Sequence, residues 1–99
     1  MQVPAASAPV FPTTPEQRRI LATAIPGPIS TQRHQARQAI VSSAFGTVLP
    51  IFVDRMGGGI IVDVDGNHLI DLASGIAVTT VGAAAPAVIR RVQEQITRF

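Results

Sequence analysis

The apolar positions at the carboxy-terminal end repeat with a helical period. In "PAVIRRVQEQITRF", Ile89, Val92, Ile96 and Phe99 fall three, four and three residues apart, one stripe of an α-helix that Pro86 opens. Arg90, Arg91, Glu94 and Arg98 take the other side, with Glu94 a turn away from basic neighbours. Each large side chain of such a stripe contributes about 1.5–3 kcal/mol when covered. The stripe is still running at Phe99, with no Gly, Asn or Pro to stop it, so the pattern predicts a helix cut short.

Upstream the helical period gives way to strand-like apolar runs. "IIVDV" (Ile60–Val64) and "HLIDL" (His68–Leu72) read as paired strands. Asp65-Gly66 between them is a hairpin signal, because Gly supplies the positive φ. Gly57–Gly59 lead into this β structure, whereas a phosphate cradle needs glycines that lead into a helix; they predict a turn. "TVLPIFV" at 47–53 is β-branched and apolar and predicts a strand, which Pro50 confines to an edge or a bulge. Residues 73–85, "ASGIAVTTVGAAA", read as extended or irregular apolar chain.

Two helices are predicted before the strands. Thr14 caps the first, Pro15 suits its opening position, and Gln17 completes a capping box. Ile20, Leu21 and Ala24 form its apolar side, and "IPGP" at Ile25–Pro28 stops it. Ser30 or Thr31 caps the second, through "QRHQARQAIVSSAFG", with Gly46 as its stop. Ala36, Ala39, Ile40 and Ser43 mark its less polar side; Arg33, Arg37 and Gln38 face water. Residues 1–13, rich in Pro and Ala, read as a flexible leader. The chain thus predicts an α+β unit: leader 1–13, helical segment 14–46, and hairpin plus helix 47–99.

Composition changes this picture in three ways. The hydrophobic fraction is 46% but the aromatic fraction only 4%, so the core must be built from Ile, Val, Leu and Ala. Charged residues make up 14%, against about 25% in ordinary domains, so part of this surface is expected to be covered by something else. All eight basic residues are Arg, spread as pairs and singles with no aromatic interleaving, and the pI of 11.2 reflects only the lack of Lys, Tyr and Cys to titrate. This is no nucleic-acid footprint. With no Lys, no side chain of this chain can form a Schiff base. With no Cys, disulfides and thiolate sites are excluded, which agrees with a cytoplasmic setting. The start of the chain lacks the basic residues and apolar run of a secretory signal. Leu72–Ile89 is uncharged, but Gly75, Thr79, Thr80, Gly82 and Pro86 argue against a membrane span.

No catalytic constellation emerges from the chain alone. His34 and His68 lack metal-ligand companions at helical spacing; His34 reads as solvated and His68 as a surface strand residue. "DVDGN" looks like the start of a calcium loop, but that loop would need Gly at 68 and Glu at 74, where His68 and Ser74 stand. Turn residues bonding their own backbone are the reading instead. Ser74 lacks the Gly-x-Ser-x-Gly frame of a nucleophile elbow and reads as a turn serine. No carboxylate pair is placed as an acid/base couple.

"GGGIIVDVDGNHLIDLASGIAVTTVGAAAPAVIRRVQEQITRF", with "GPIS" and "LPIFVDR" before it, resembles the amino-terminal region of class III pyridoxal-phosphate-dependent aminotransferases, nearest the 4-aminobutyrate branch. The order carries the likeness: a small apolar strand, Asp-x-Asp-Gly, an Asp ending the return strand, Gly-Ile-Ala-Val and a Pro-initiated helix. Two features depart from the family. "GAAAP" at Gly82–Pro86 replaces the common Gly-His-x-His-Pro, and Leu72 stands where an aromatic is frequent.

The resemblance implies an incomplete α+β piece of the small domain of a fold-type I transferase. It implies pyridoxal phosphate as cofactor, held by a lysine and by other groups beyond this chain. It implies an amino acid and a 2-oxo acid as substrates, and the rest of the polypeptide and a homodimer partner as packing partners. Carried over residue by residue, Ile76 is the candidate substrate-pocket residue, with Gly75 allowing close approach. No catalytic, cofactor-binding or metal-binding residue is assigned. The rival reading is a small non-enzymatic module that buries its helix stripe by self-association.

Overall fold

The strand-like stretches around Asp65-Gly66 form a sheet, as expected. The computed structural model describes residues 14–99, so the leader assigned to 1–13 lies outside the described residues. β2 (Ile60–Asp63) is the central strand of three. It pairs antiparallel with β3 (His68–Ile70) in the register Ile60↔Ile70, Ile61↔Leu69 and Val62↔His68. On its other side lies β1 (Val53–Gly57), with Arg55↔Val62, Met56↔Ile61 and Gly57↔Ile60 in register and an irregularity between Val53 and Arg55.

Both turns follow from their glycines. Gly58-Gly59 joins β1 to β2, with Gly58 at φ 59°. Gly66, at φ 85°, closes the β2–β3 turn, where Gly66 N–H donates to Asp63 O at 3.0 Å. The strand expected at 47–53 begins only at Val53. Before it the chain turns around Pro50, Ile51 N–H donating to Leu49 O at 2.9 Å, and only the Phe52 carbonyl reaches the sheet, accepting from Val64 N–H at 2.9 Å.

Helix α1 (Pro28–Ile40) starts at the proline that the sequence reading took as a breaker. Pro28 sits in the first turn, where a missing N–H costs nothing. Ser30 and Thr31 therefore lie inside the helix and not at its cap. The helix ends at Ile40 and not at Gly46, because the next residues make other bonds. Ser42 Oγ accepts from Ala44 N–H at 3.3 Å, and Arg37 donates to Phe45 O and Thr47 Oγ1 at 2.8 and 2.9 Å, folding the segment back.

The helix expected from Thr14 to Ala24 does not form. That segment runs beside β3 as an irregular strip. Ile20 and His68 exchange backbone hydrogen bonds at 3.0 and 2.8 Å. A helix this short is marginal in water, and bonds to the sheet satisfy the same backbone groups.

Helix α3 (Pro86–Ile96) follows a single left-handed turn, α2 (Ser74–Ala77). α3 starts where expected but stops three residues before Phe99; Thr97 Oγ1 bonds Glu94 O at 3.2 Å and Arg98 N–H bonds Gln95 O at 2.8 Å. No residue of α3 is buried, and its stripe is open, with Val92, Ile96 and Phe99 all exposed.

The apolar core is small. Ile60 and Val62 are the buried apolar residues among those described, at 4% and 3% exposure. Beside them Ser30, Asp63 and Asn67 are also buried. A polar knot therefore shares the centre with two aliphatic side chains. The radius of gyration, 17.1 Å, exceeds the roughly 13 Å of a compact chain of this length.

Candidate functional site

The residues of "DVDGN" bond within the chain. Asp63 Oδ1 accepts from Asp65 N–H and Asn67 N–H at 3.0 and 2.8 Å, and its Oδ2 accepts from Asn67 Nδ2 at 2.9 Å. Asn67 Oδ1 then reaches across to accept from Ala22 and Thr23 N–H at 2.8 and 2.9 Å. Asn67 Nδ2 donates to Thr23 Oγ1 at 2.9 Å. N–H donors thus occupy both Asp63 oxygens, and among the described residues no group of three metal-ligating side chains converges.

Asp65 performs the capping assigned to Ser30 or Thr31. Its two oxygens accept from Ile29 and Ser30 N–H at 2.7 and 2.9 Å, two of the amides left open at the start of α1. Partial burial works to raise the Asp65 pKa. Hydrogen bonds from the Ser30 hydroxyl and from the Ser30 and Ile29 amides, with the Arg33 charge, outweigh it and hold the carboxyl below its ordinary value. Gly27 is required at this joint, because a Cβ there would collide with the Asp65 side chain and Thr23 Oγ1.

The glycine turn carries the loop that follows β3. Gly59 O accepts from Asp71 N–H at 3.0 Å, at the start of the loop. Gly58 and Ala83 exchange backbone bonds at 2.9 Å each, at its end. Gly82, at φ 84°, passes so close that a Cβ would lie 3.2 Å from Gly58 Cα and O. Gln17 locks the turn from outside: its Oε1 accepts from Gly59 N–H at 3.1 Å, and its Nε2 donates to Gly57 O at 2.9 Å. The opening glycines are thus a turn, and one that clamps both ends of residues 71–83.

Gly75 and Ile76 sit at the middle of that loop, in α2. Both have φ 61°, and Ile76 is 90% exposed. In this chain Ile76 is no core residue. Ser74 is a turn residue, its N–H donating to Asp71 Oδ1 at 2.8 Å. Neither histidine has a hydrogen bond to this turn. His68 is half-buried on β3, with Nδ1 3.5 Å from Glu16 O. His34 is half-buried rather than solvated, and its buried Nδ1 has no hydrogen-bond partner. It lines a cavity of about 330 Å³ with Arg37, Gln38 and Thr47.

Sequence reading missed Gln17, Asp65, Asn67 and Asp71 as the side chains that build this site. Their partners lie up to 45 residues away, a distance no local pattern spans. The Asx-type turn signal at Asp63–Asn67 was visible; its second use as a latch was not.

An antiparallel sheet with a glycine turn clamping an exposed loop, followed by a Pro-initiated helix, defines the segment that the profile of the aminotransferase class-III family matches, residues 41–99. The chain belongs to that family. It is 55% identical over 84 residues to the 4-aminobutyrate aminotransferase of Mycobacterium tuberculosis (strain ATCC 25618 / H37Rv), covering 85% of this chain and 19% of the relative. To the 4-aminobutyrate aminotransferase of Mycobacterium leprae (strain TN) it is 51% identical over 87 residues, 88% of this chain and 20% of the relative. A 5-aminovalerate aminotransferase of Pseudomonas putida is 45% identical over 64 residues, 65% of this chain and 15% of the relative. The chain spans about one fifth of the length of the 4-aminobutyrate aminotransferases it matches. Gly75 and Ile76 lie inside the matched segment.

Class III aminotransferases are generally pyridoxal phosphate enzymes, but the residues of this chain do not by themselves fit that cofactor. There is no lysine amine among the 99 residues. The glycine turn opens a strand, and Asp65 already occupies amides at the start of α1. No helix among the described residues is long and apolar enough to cross a membrane.

Proposed function

We propose that this chain is the amino-terminal part of a 4-aminobutyrate:2-oxoglutarate transaminase, a cytoplasmic enzyme of the fold-type I class. The observation that carries the reading is the 55% identity over 84 residues to a 4-aminobutyrate aminotransferase, in a segment that includes the exposed α2 turn. Bound pyridoxal phosphate would supply the amino-transfer chemistry, and the lysine that holds it would come from sequence beyond these residues.

This chain's own contribution is shape and exclusion of water. Ile76 offers a branched apolar wall to the methylenes of an ω-amino acid, and Gly75 beside it lets the ligand approach the backbone. The open stripe of α3 and the polar strip of residues 14–27 then pack against the rest of the polypeptide and a homodimer partner. That covering accounts for the low surface charge and for the absence of buried residues in α3.

The chain alone is expected to be inactive. Pure 99-residue protein mixed with pyridoxal phosphate, 4-aminobutyrate and 2-oxoglutarate should form no more glutamate than the cofactor-only blank. Glutamate above that blank would refute the reading.

A further inference from the structure

Four consecutive residues hold positive φ in α2: Ser74 at 50°, and Gly75, Ile76 and Ala77 at 61°. Three of them carry side chains, and Ile76 is β-branched, the type least suited to this region. Burial does not hold the turn in place, since Gly75, Ile76 and Ala77 are all exposed. Its restraints are hydrogen bonds. Ile76 and Ala77 N–H donate to Ala73 O at 2.9 and 3.1 Å; Val78 and Thr79 N–H donate to Ser74 O at 2.8 and 3.0 Å.

Asp71 supplies the side chain that enters the turn. Its Oδ1 accepts from Ser74 N–H at 2.8 Å, at the residue where positive φ begins. Asp71 is itself fixed to the sheet, its own N–H donating to Gly59 O at 3.0 Å. On the side of β3, the side chain that links the glycine turn to the left-handed turn is the Asp71 carboxylate. Backbone held in a sparsely populated region persists only where its surroundings over-determine it, and such backbone gathers at ligand sites.

We propose that Asp71 is the positioning residue of the substrate-facing wall: its carboxylate holds the left-handed turn and so sets the direction in which Ile76 meets the methylenes of an ω-amino acid. The proposal rests on Ile76 being that wall. Asp71 touches no reacting atom; it acts through Ser74 and the turn.

NMR of the full 99-residue chain tests it without any ligand. Positive φ brings a residue's own amide and α hydrogens together, so Ser74, Ile76 and Ala77 should each show an unusually strong intraresidue cross-peak. Asp71→Ala should lose those strong peaks and shift the Ser74 amide, while the cross-strand contacts of Ile61 with Leu69 stay as they are. Asp71→Asn, which keeps the acceptor oxygen, should restore both signatures.

Strong peaks that persist in Asp71→Ala would overturn the proposal, because the backbone bonds would then suffice. Their absence from the unsubstituted chain would overturn it as well. Should Asp71→Ala lose the sheet, Asp71→Asn decides: a folded chain with the turn supports the role, and one without it refutes it. Glutamate formed by the chain alone would sink the reading of this chain as an inactive part of a larger transaminase and leave these resonances where they are, so the two failures are distinguishable.

Discussion

At Asn67 four side-chain hydrogen bonds converge in a fully buried position, two from the Ala22 and Thr23 amides and two to Thr23 Oγ1 and Asp63 Oδ2. Removing a partner from a buried donor or acceptor costs about 1–3 kcal/mol for each group left unsatisfied. Asn67→Ala should therefore detach residues 14–27 from the sheet, read as faster amide exchange at Ala22 and Thr23 and a lower urea midpoint. Asp65 makes the residue scale sensitive to pH. Its folded pKa lies below the unfolded value, so its stabilisation is complete above the unfolded carboxyl's range and is lost as pH falls through the folded value. Acid titration followed by circular dichroism should show α1 melting below the ordinary carboxylate range. Asp65→Ala should lower helicity at neutral pH and remove that share of the acid dependence.

Among the elements, the glycine turn matters most to the site, because Gly58, Gly59 and Gly82 hold both ends of the loop that bears Ile76. Gly82→Ala places a Cβ against Gly58 backbone at a positive φ, which costs about 1–2 kcal/mol from conformation alone. The Gly58–Ala83 pair should open, seen as loss of exchange protection at the Ala83 amide. The hairpin and the start of α3 are legible in the sequence, because β-branched apolar runs, Asp65-Gly66 and Pro86 act over a few residues. The helix at Thr14–Ala24 was misread for the opposite reason: its caps were real sequence signals, but His68 and Asn67, far along the chain, compete for the same amides. The start of α1 differs from the expected one by three or four residues because the side chain that caps it, Asp65, comes from another element. The left-handed turn was read only as irregular, since no residue type other than Gly75 announces positive φ there.

For the whole molecule, a core of Ile60 and Val62 with a polar knot beside it is too small to organise every element. The order that exists is concentrated around the sheet and the glycine turn. The stripe of α3 remains open. Both features fit a polypeptide that finishes its core with further sequence, and the relatives it matches at 51–55% identity are more than four times its length. The family likeness lies in the order of strand, Asp-x-Asp-Gly turn, Gly-Ile-Ala-Val and Pro-initiated helix, which is legible in the sequence. The clamp that aims the Gly-Ile-Ala-Val segment required the fold.

Under the proposed function, this chain shapes a pocket whose covalent chemistry comes from elsewhere in the same polypeptide. Intact mass of the protein carrying this sequence, purified from the cells that make it, tests that claim most directly. A mass several times 10.4 kDa is the predicted result. A mass near 10.4 kDa would contradict it and favour a small self-associating module built on the α3 stripe.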